Sequence, residues 1–342
     1  MDDDWRQRLD AMRRELELGG DPVAWVSETD AAEAWLRYPS LAVRGALFGV
    51  CVQQRDAGGG REGAWRMVVP LQDGMPQGAR DSLNSLLWFR AKDDTDDPAV
   101  RRELLAAVSL LEREPVDEVE VLDERYRVVR GDELARSGPD GLEPPRPTDV
   151  EPFDRSWEKR RASDPPDVGF VLDPLRETSV VSEALRLSLR SFDYAGNRYP
   201  ADVREDSRRA VTRHPDVALL PTTFGIVEQR GATWRPQGSL LPSPHDARLF
   251  LYQSLIELWP LMYKFDEVKR ERYARAAERF RAAGRADELE VDGRRFRICR
   301  IERMVRFGPD GPEPPRPSDI DEYEPMKMHP TMDEHGVVHF DA

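Results

Sequence analysis

Cysteine is almost absent: Cys51 and Cys299 are the two in 342 residues, and both sit inside apolar, strand-like stretches. A disulfide framework is thereby excluded and two buried thiols are expected. Long apolar runs are missing as well. The longest, ALFGVCV at 46–52, falls far short of the ~18–20 residues that cross a bilayer, so no membrane partner is expected. The opening MDDDWRQRLD is acidic with no apolar segment behind it, the reverse of a secretory signal, and a cytoplasmic protein is expected. Catalytic signatures are lacking too. There is no GxSxG, GxxxxGK, HExxH or CxxC, and GGGREG at 58–63 has neither the spacing nor the following helix of a dinucleotide turn. The reading leans away from an enzyme and expects no cofactor, although with acids so numerous only geometry could single out a catalytic carboxylate pair.

Charge and proline are plentiful. The chain carries 51 basic and 65 acidic side chains, a net charge of -14, and 28 prolines, with charged residues at 34%. Much of it must be solvated surface and loop. Its length still suffices for two domains and for burying about three quarters of the extended surface. The arginine, proline and alanine content points to a GC-rich coding genome.

Self-comparison gives the main organising signal. DEVEVLDERYRVVRGDELARSGPDGLEPPRPTD, residues 117–149, aligns without a gap to DELEVDGRRFRICRIERMVRFGPDGPEPPRPSD, residues 287–319, with 18 of 33 positions identical at an offset of 170. Upstream, Pro39, Phe48 and Gly49 answer to Pro215, Phe224 and Gly225 at an offset of 176, and Trp65 answers to Trp234 at 169. The pair Ala79-Arg80 answers to Ala247-Arg248 at 168. The offsets drift at loops such as AGGG, 57–60, where length changes are cheap.

Each copy reads as a leading helix (27–38; 201–213), a strand hairpin, a helix pair (79–91 with 98–113; 245–263 with 266–283) and a second hairpin. Pro260 is expected to kink or end its helix. The second hairpins are expected to turn at Asp123-Glu124 and at Asp292-Gly293. The fold class is thus α+β, an internal duplication of a ββααββ module with a leading helix, in a pseudo-twofold arrangement.

The expected organisation is an N-terminal helix in 1–23, copy 1 over 24–150, a Pro- and charge-rich solvated linker over 151–168, and a strand and helix over 169–199. Copy 2 covers 200–320 and an acidic irregular tail 321–342. Residues 1–150 hold 20 basic and 31 acidic groups, whereas 201–306 hold 21 and 16, so the acidic tail is expected to lie on the basic second copy.

RYPSLAVRGALFGV, ARDSLNSLLWFRAKDD, RYRVVRGDE and GPDGLEPPRPTD, followed by a diverged copy ending GPDGPEPPRPSD, together resemble an uncharacterised family of high-GC Gram-positive bacteria, carried as a domain of unknown function. The resemblance covers nearly the whole chain and supplies no activity or catalytic residue.

The repeated GPDGxEPPRP element combines a glycine turn with an extended polyproline path. Pro144, Pro145, Arg146 and Pro147, with Pro314, Pro315, Arg316 and Pro317, form either a partner-contact strap or a strap over the chain's own sheet, held by Arg146 with Asp149 and Arg316 with Asp319. The second is favoured, because a fold needs such a strap in both copies and an active site is seldom needed twice. His335, His339 and Asp333 are the candidate metal ligands, with His329, Glu334 and Asp341 nearby, but Gly336 breaks the helical spacing that two imidazoles would need.

The acidic run 92–97 reads as a loop and helix cap rather than a Mg²⁺ site. The basic stretch 264–285 reads as a solvated helix face, since Asp266, Glu267, Glu271 and Glu278 interrupt it, which weighs against nucleic acid. His214 and His245 stand isolated. The function favoured is a non-enzymatic interaction or regulatory protein with a protein partner or self-association. The alternative is a small-molecule-binding protein or enzyme with its site in a groove between the copies, the ligand unknown. A deep polar-lined groove there would favour the alternative.

Overall fold

A computed structural model describes residues 22–55, 63–158, 164–176, 178–231 and 233–340. The helix expected over 3–17 and the extra glycines of 57–60 lie outside the described residues. Helix α1 (Pro22–Arg37) leads into the hairpin of β1 (Ser40–Gln54) and β2 (Arg66–Asp73). Helices α2 (Pro76–Asp93) and α3 (Pro98–Leu111) follow, then β3 (Glu118–Val121), β4 (Glu124–Gly138) and β5 (Gly141–Leu142). Helices α4 (Val180–Arg190) and α5 (Ala201–Arg213) precede β6 (Asp216–Leu219), β7 (Thr223–Arg230) and β8 (Thr233–Leu241). Helix α6 (Pro244–Gln253) passes through a π-helical turn, Ser254–Leu258, into α7 (Trp259–Met262). Next come α8 (Glu267–Ala282), β9 (Glu288–Val291), β10 (Arg294–Gly308) and β11 (Gly311–Pro312). The tail carries a small hairpin, β12 (Thr331–Met332) and β13 (Val338–His339).

Local chemistry explains the boundaries. Asp97 and Ser243 cap α3 and α6 by accepting from the amides of Ala99 and Asp246, and each is followed by a proline in the first turn, where a missing N–H removes no helix bond. Pro260 lies in the last, four-residue stretch of the helical run, directly after the π-helical turn, and the run continues past it to Met262. Asp292 and Gly293 form the predicted turn, both at positive φ. The first hairpin turns one residue earlier than expected, at Leu122-Asp123, because Glu124 pairs with Val121. That register keeps Val119 and Val121 in the core, and Glu103 accepts from the Leu122 amide while Leu122 takes the left-handed conformation.

Among the described residues β1–β11 form one antiparallel sheet with the main order β2-β1-β4-β10-β7-β8. β4 and β10, each 15 residues long, carry it. β4 pairs with β1 along its length and with β3 at its start, while Gly131, Asp132, Glu133 and Leu134 pair with Val305, Met304, Arg303 and Glu302 of β10. β10 in turn pairs with β9 and β7 at its start and with β6 near its end.

One face of the sheet is covered by helices. Leu83, Leu87, Leu104 and Val108 of α2 and α3 pack on Phe48, Val50, Tyr126 and Val128, and Leu251, Tyr273 and Phe280 of α6 and α8 pack on Phe224, Ile226, Phe296 and Ile298. The other face holds Cys51, Trp65, Met67, Leu71, Val129, Val305 and Phe307, closed over by Leu172 and Phe170. The 169–172 segment runs beside β2: Met67 and Phe170, Gly169 and Met67, and Leu172 and Trp65 share backbone hydrogen bonds of 2.8–2.9 Å.

Two expectations are corrected. The 151–168 stretch is not merely solvated: Trp157 packs against the Phe280 and Tyr252 rings, and Asp167 is fully buried. The tail lies on the first half rather than on the basic second one. His329 stacks on Trp88, Met332 enters the α2/α3 core, and Arg102 meets Glu334 at 2.6 Å. Local arginines and a buried apolar contact outweigh the charge sum of the more distant half.

Gly131 sits where β4 meets β10, and a Cβ there would lie 2.4 Å from Leu71 Cδ2 and 2.6 Å from the Met304 carbonyl oxygen. Gly131→Ala should therefore cost about 1–3 kcal/mol in urea unfolding, whereas Gly74→Ala, with open space around it, should stay within about 0.5 kcal/mol.

Candidate functional site

The two proline straps dock on the opposite half of the sheet. After β5, Glu143 and Arg146 pair at 2.6 Å, and the Arg146 amide donates to Asp149. Asp149 then receives Arg300 of β10 at 3.0 Å, and the Arg300 amide donates to the Glu143 carbonyl. After β11, Glu313 and Arg316 pair at 2.7 Å, the Arg316 amide donates to Asp319, and Asp319 receives Arg130 of β4 at 3.1 Å. The Arg130 amide donates to the Glu313 carbonyl.

Two residues beyond each strap the crossing repeats. Glu151 accepts from the His245 amide at the start of α6 and pairs with Arg248, while Asp321 accepts from the Gln77 amide at the start of α2 and pairs with Arg80. Of the strap prolines, Pro147 and Pro317 are exposed and Pro144, Pro145, Pro314 and Pro315 half-buried.

A buried network surrounds Arg130. It reaches Asp132 at 3.0 Å and the Tyr194 oxygen at 3.2 Å, and the Tyr194 hydroxyl donates to Asp132. Burial works to raise the Asp132 carboxyl, but the Arg130 and Arg316 guanidiniums outweigh it and hold the group below the usual carboxylate range.

The other candidates stand apart. His335 and His339 are exposed, and the Nε2 of His339 lies 3.4 Å from Asp333. Among the described residues no three His, Cys, Asp or Glu side chains are arranged to hold a metal ion. Asp97 of the acidic run is a helix cap. On α8, Asp266 caps the helix, Arg275 meets Glu271 at 3.4 Å, and Arg272 pairs with Asp292. His245 is buried against Trp157, and His214 ends α5 beside a cavity of about 120 Å³ under Pro314–Pro317.

A half-open groove of about 1090 Å³ is bounded by β1, β4 and β5 on one side and β7, β8 and β10 on the other. Its floor is apolar, formed by Val227, Leu240, Cys299 and Ile301 with the Trp234 ring. Its polar lining includes five guanidiniums, those of Arg37, Arg44, Arg198, Arg295 and Arg297, and the carboxylates of Glu133 and Asp140. Arg37 pairs with Asp140 at 3.1 Å, Arg295 meets Glu288 at 2.6 Å, and Arg297 both pairs with Glu288 and donates to the Leu142 carbonyl.

Glu133 is the buried carboxylate of the lining: 3% exposed, it lies 2.7 Å from Arg44 Nη2. The pair sets a part-exposed guanidinium on a carboxylate that is itself closed to solvent. Burial pushes the Glu133 carboxyl above its usual range, with Arg44 and Arg303 offsetting part of the effect. Burial pushes the Cys299 thiol up to about 12, with Glu133 adding to it, so this thiol stays protonated and is no nucleophile.

Sequence reading singled out none of Arg44, Glu133, Trp234 or Ile301 as a site. A signal was nonetheless present. At the alignment offsets Arg303, Val305 and Phe307 answer to Glu133, Ala135 and Ser137, large or cationic side chains set against small or acidic ones, and Leu220 answers to Arg44, an apolar side chain against a charged one.

Fold and groove define an α+β chain in which one antiparallel sheet carries helices on one face and a ligand-sized groove on the other. Residues 21–322 match the model of a family described as a family of unknown function (DUF5954), and the chain belongs to that family. No curated protein and no solved structure matches it.

Asp132 sets a pH test. A carboxyl held below its unfolded value contributes stability that is complete above about pH 4 and is lost as pH falls through the lower folded value. Asp132→Asn should cost about 3 kcal/mol at pH 7, because it leaves a buried guanidinium short of a partner. The difference from wild type should shrink as urea unfolding is repeated at successively lower pH.

Proposed function

We propose that the two halves are diverged copies set about an approximate twofold axis between Glu133 and Arg303, and that the protein binds a small organic ligand in the groove. Several observations support the copies. Strands 118–121, 124–138 and 141–142 recur as 288–291, 294–308 and 311–312 at the alignment offset, and Glu133, aligned with Arg303, pairs with it across β4 and β10. The paired crossings of the straps, with Arg130 and Arg300 in equivalent roles, point the same way.

The observation that carries the binding reading is the asymmetry on the face away from the helices. On one side of the axis Phe307, Val305, Leu220 and Met67, with Leu172 and Phe170 laid over them, fill the concavity. On the other side the aligned residues are Ser137, Ala135, Arg44 and Pro236, and the result is the groove. A folded chain tends to close an apolar hollow of this size with its own side chains. A hollow that the described residues leave open, with an apolar floor and charged and polar groups around it, has the form of a ligand site.

Pro236 argues against an added peptide strand. The Met67 amide donates to Phe170 on the filled side, and Pro236, aligned with Met67, lacks that donor, so the β8 edge is blunted in the register that 169–172 uses. The protonated Cys299 thiol and the ion-paired arginines fit binding better than catalysis. The strap charges are engaged within the chain, which supports the straps as internal fastenings rather than partner contacts.

Ser137→Phe, which copies Phe307 into the groove, provides the test. Thermal unfolding against a library of small metabolites should show a shift of a few degrees for one chemical class, matching about 2.7 kcal/mol at a hundredfold excess over Kd. Ser137→Phe should abolish the shift while itself unfolding near the wild-type temperature. A library that shifts neither protein, or shifts both equally, would remove the groove as the site.

A further inference from the structure

Resting on the groove reading, we propose that the ligand is an organic anion, its acid group set against Arg295 beside Trp234 and its apolar body laid over Val227, Leu240, Cys299 and Ile301.

Comparison of the two halves leads there. On the filled side Arg125 and Arg127 lie over the Trp65 ring and are held by two carboxylates, Glu118 at 2.6 and 2.8 Å and Asp310 at 3.5 and 2.7 Å. The aligned residues on the groove side, Arg295 and Arg297, lie over the Trp234 ring and share Glu288. The strap turn is docked alike in both places, since Arg297 donates to the Leu142 carbonyl as Arg127 donates to the aligned Pro312 carbonyl. Its carboxylate is not. Asp140, aligned with Asp310, pairs instead with Arg37 at 3.1 Å. The arginine pair beside the groove therefore holds one acid where its counterpart holds two. The vacated side faces the groove: Arg295 is part of the lining and its side chain is 43% exposed, against 14% for Arg125.

The charge of the whole groove has the same sign. Glu133 is taken by Arg44 and Asp140 by Arg37, and one further carboxylate, Glu288, serves both Arg295 and Arg297. Arg198 reaches no carboxylate among the described residues and donates to the Tyr199 hydroxyl at 2.6 Å. Five guanidiniums thus face three carboxylates, a positive surplus within a chain whose net charge is -14. A cleft of one sign with apolar walls concentrates ligands of the other sign. A guanidinium with an open side takes a carboxylate or a phosphate through paired N–H donors. A cation would add to the surplus, and an uncharged ligand would leave it unanswered.

Isothermal titration calorimetry on the full chain with octanoate, octyl phosphate, 1-octanol and octylamine varies the head group on one apolar body. One or both acids should bind more tightly than the alcohol and the amine by roughly tenfold or more, and the tighter acid separates carboxylate from phosphate. Their binding should weaken as sodium chloride is raised and be lost in Ser137→Phe. Arg295→Gln should weaken the acids by a similar factor while unfolding near the wild-type temperature, and Arg295→Lys should restore part of the affinity. If Arg295→Gln does not fold, Arg198→Gln, at an exposed position, carries the test through a severalfold loss for the acids alone. An alcohol or amine that binds as tightly as the acids would overturn the acid head. A library ligand lost in Ser137→Phe supports the assignment if it bears an acid group and is weakened by Arg295→Gln. If it bears none, the assignment falls and the groove is retained. If no library member depends on Ser137, the groove reading fails first and the acid head with it.

Discussion

Each half of the sheet depends on carboxylates delivered by the other. Arg130 and Arg300 lie on the two central strands, and Arg80 and Arg248 lie near the starts of the two helix pairs. All four take an acid from the strap that leaves the opposite half. Three are at most 6% exposed and Arg300 12%, and at that depth an unpaired guanidinium would cost several kcal/mol. The crossing therefore ties formation of one half to formation of the other. It also explains why β4 and β10 run to 15 residues: each must serve its own hairpin at one end and reach the opposite strand at the other.

That shared centre puts Glu133 and Arg303 side by side on the face away from the helices, where they part company. Arg303 turns towards Leu71 and Asp167 and becomes part of a filled core. Glu133 turns towards Arg44 and becomes the wall of a groove. Residues 167–172 supply the difference: they bring two apolar side chains and an acid to one side alone. Residues 167–172 thus mark the difference between the filled hollow on one side and the groove on the other. The position where the sequence-level correspondence fails is where function is expected to reside.

Much of this was legible in the chain. The helix cap at Asp97 and the turn at Asp292-Gly293 follow from side chains acting on their own backbone, within a few residues. The slip at Leu122-Asp123 shows the edge of such reasoning: a generic turn dipeptide yielded to the burial of Val119 and Val121 and to the bond from Glu103, 19 residues away. The tail went astray because net charge is a sum over a whole half, while its placement depended on one stacked ring and one apolar side chain, His329 and Met332.

By itself the sequence determined the α+β class, the order of the main elements, the cap at Asp97 and the turn at Asp292-Gly293, because these rest on interactions between near neighbours. The expected Arg-Asp pairing within each strap came out as Arg with Glu, the Asp carboxylates serving Arg300 and Arg130 instead. Only the tertiary structure decided that each strap serves the other half, that 169–172 lies beside β2, and that among the described residues nothing matches that segment beside β8. Those outcomes depend on which buried charges meet across strands about 170 residues apart in the chain. Desolvation makes such a meeting decisive in energy and leaves no mark in local propensity.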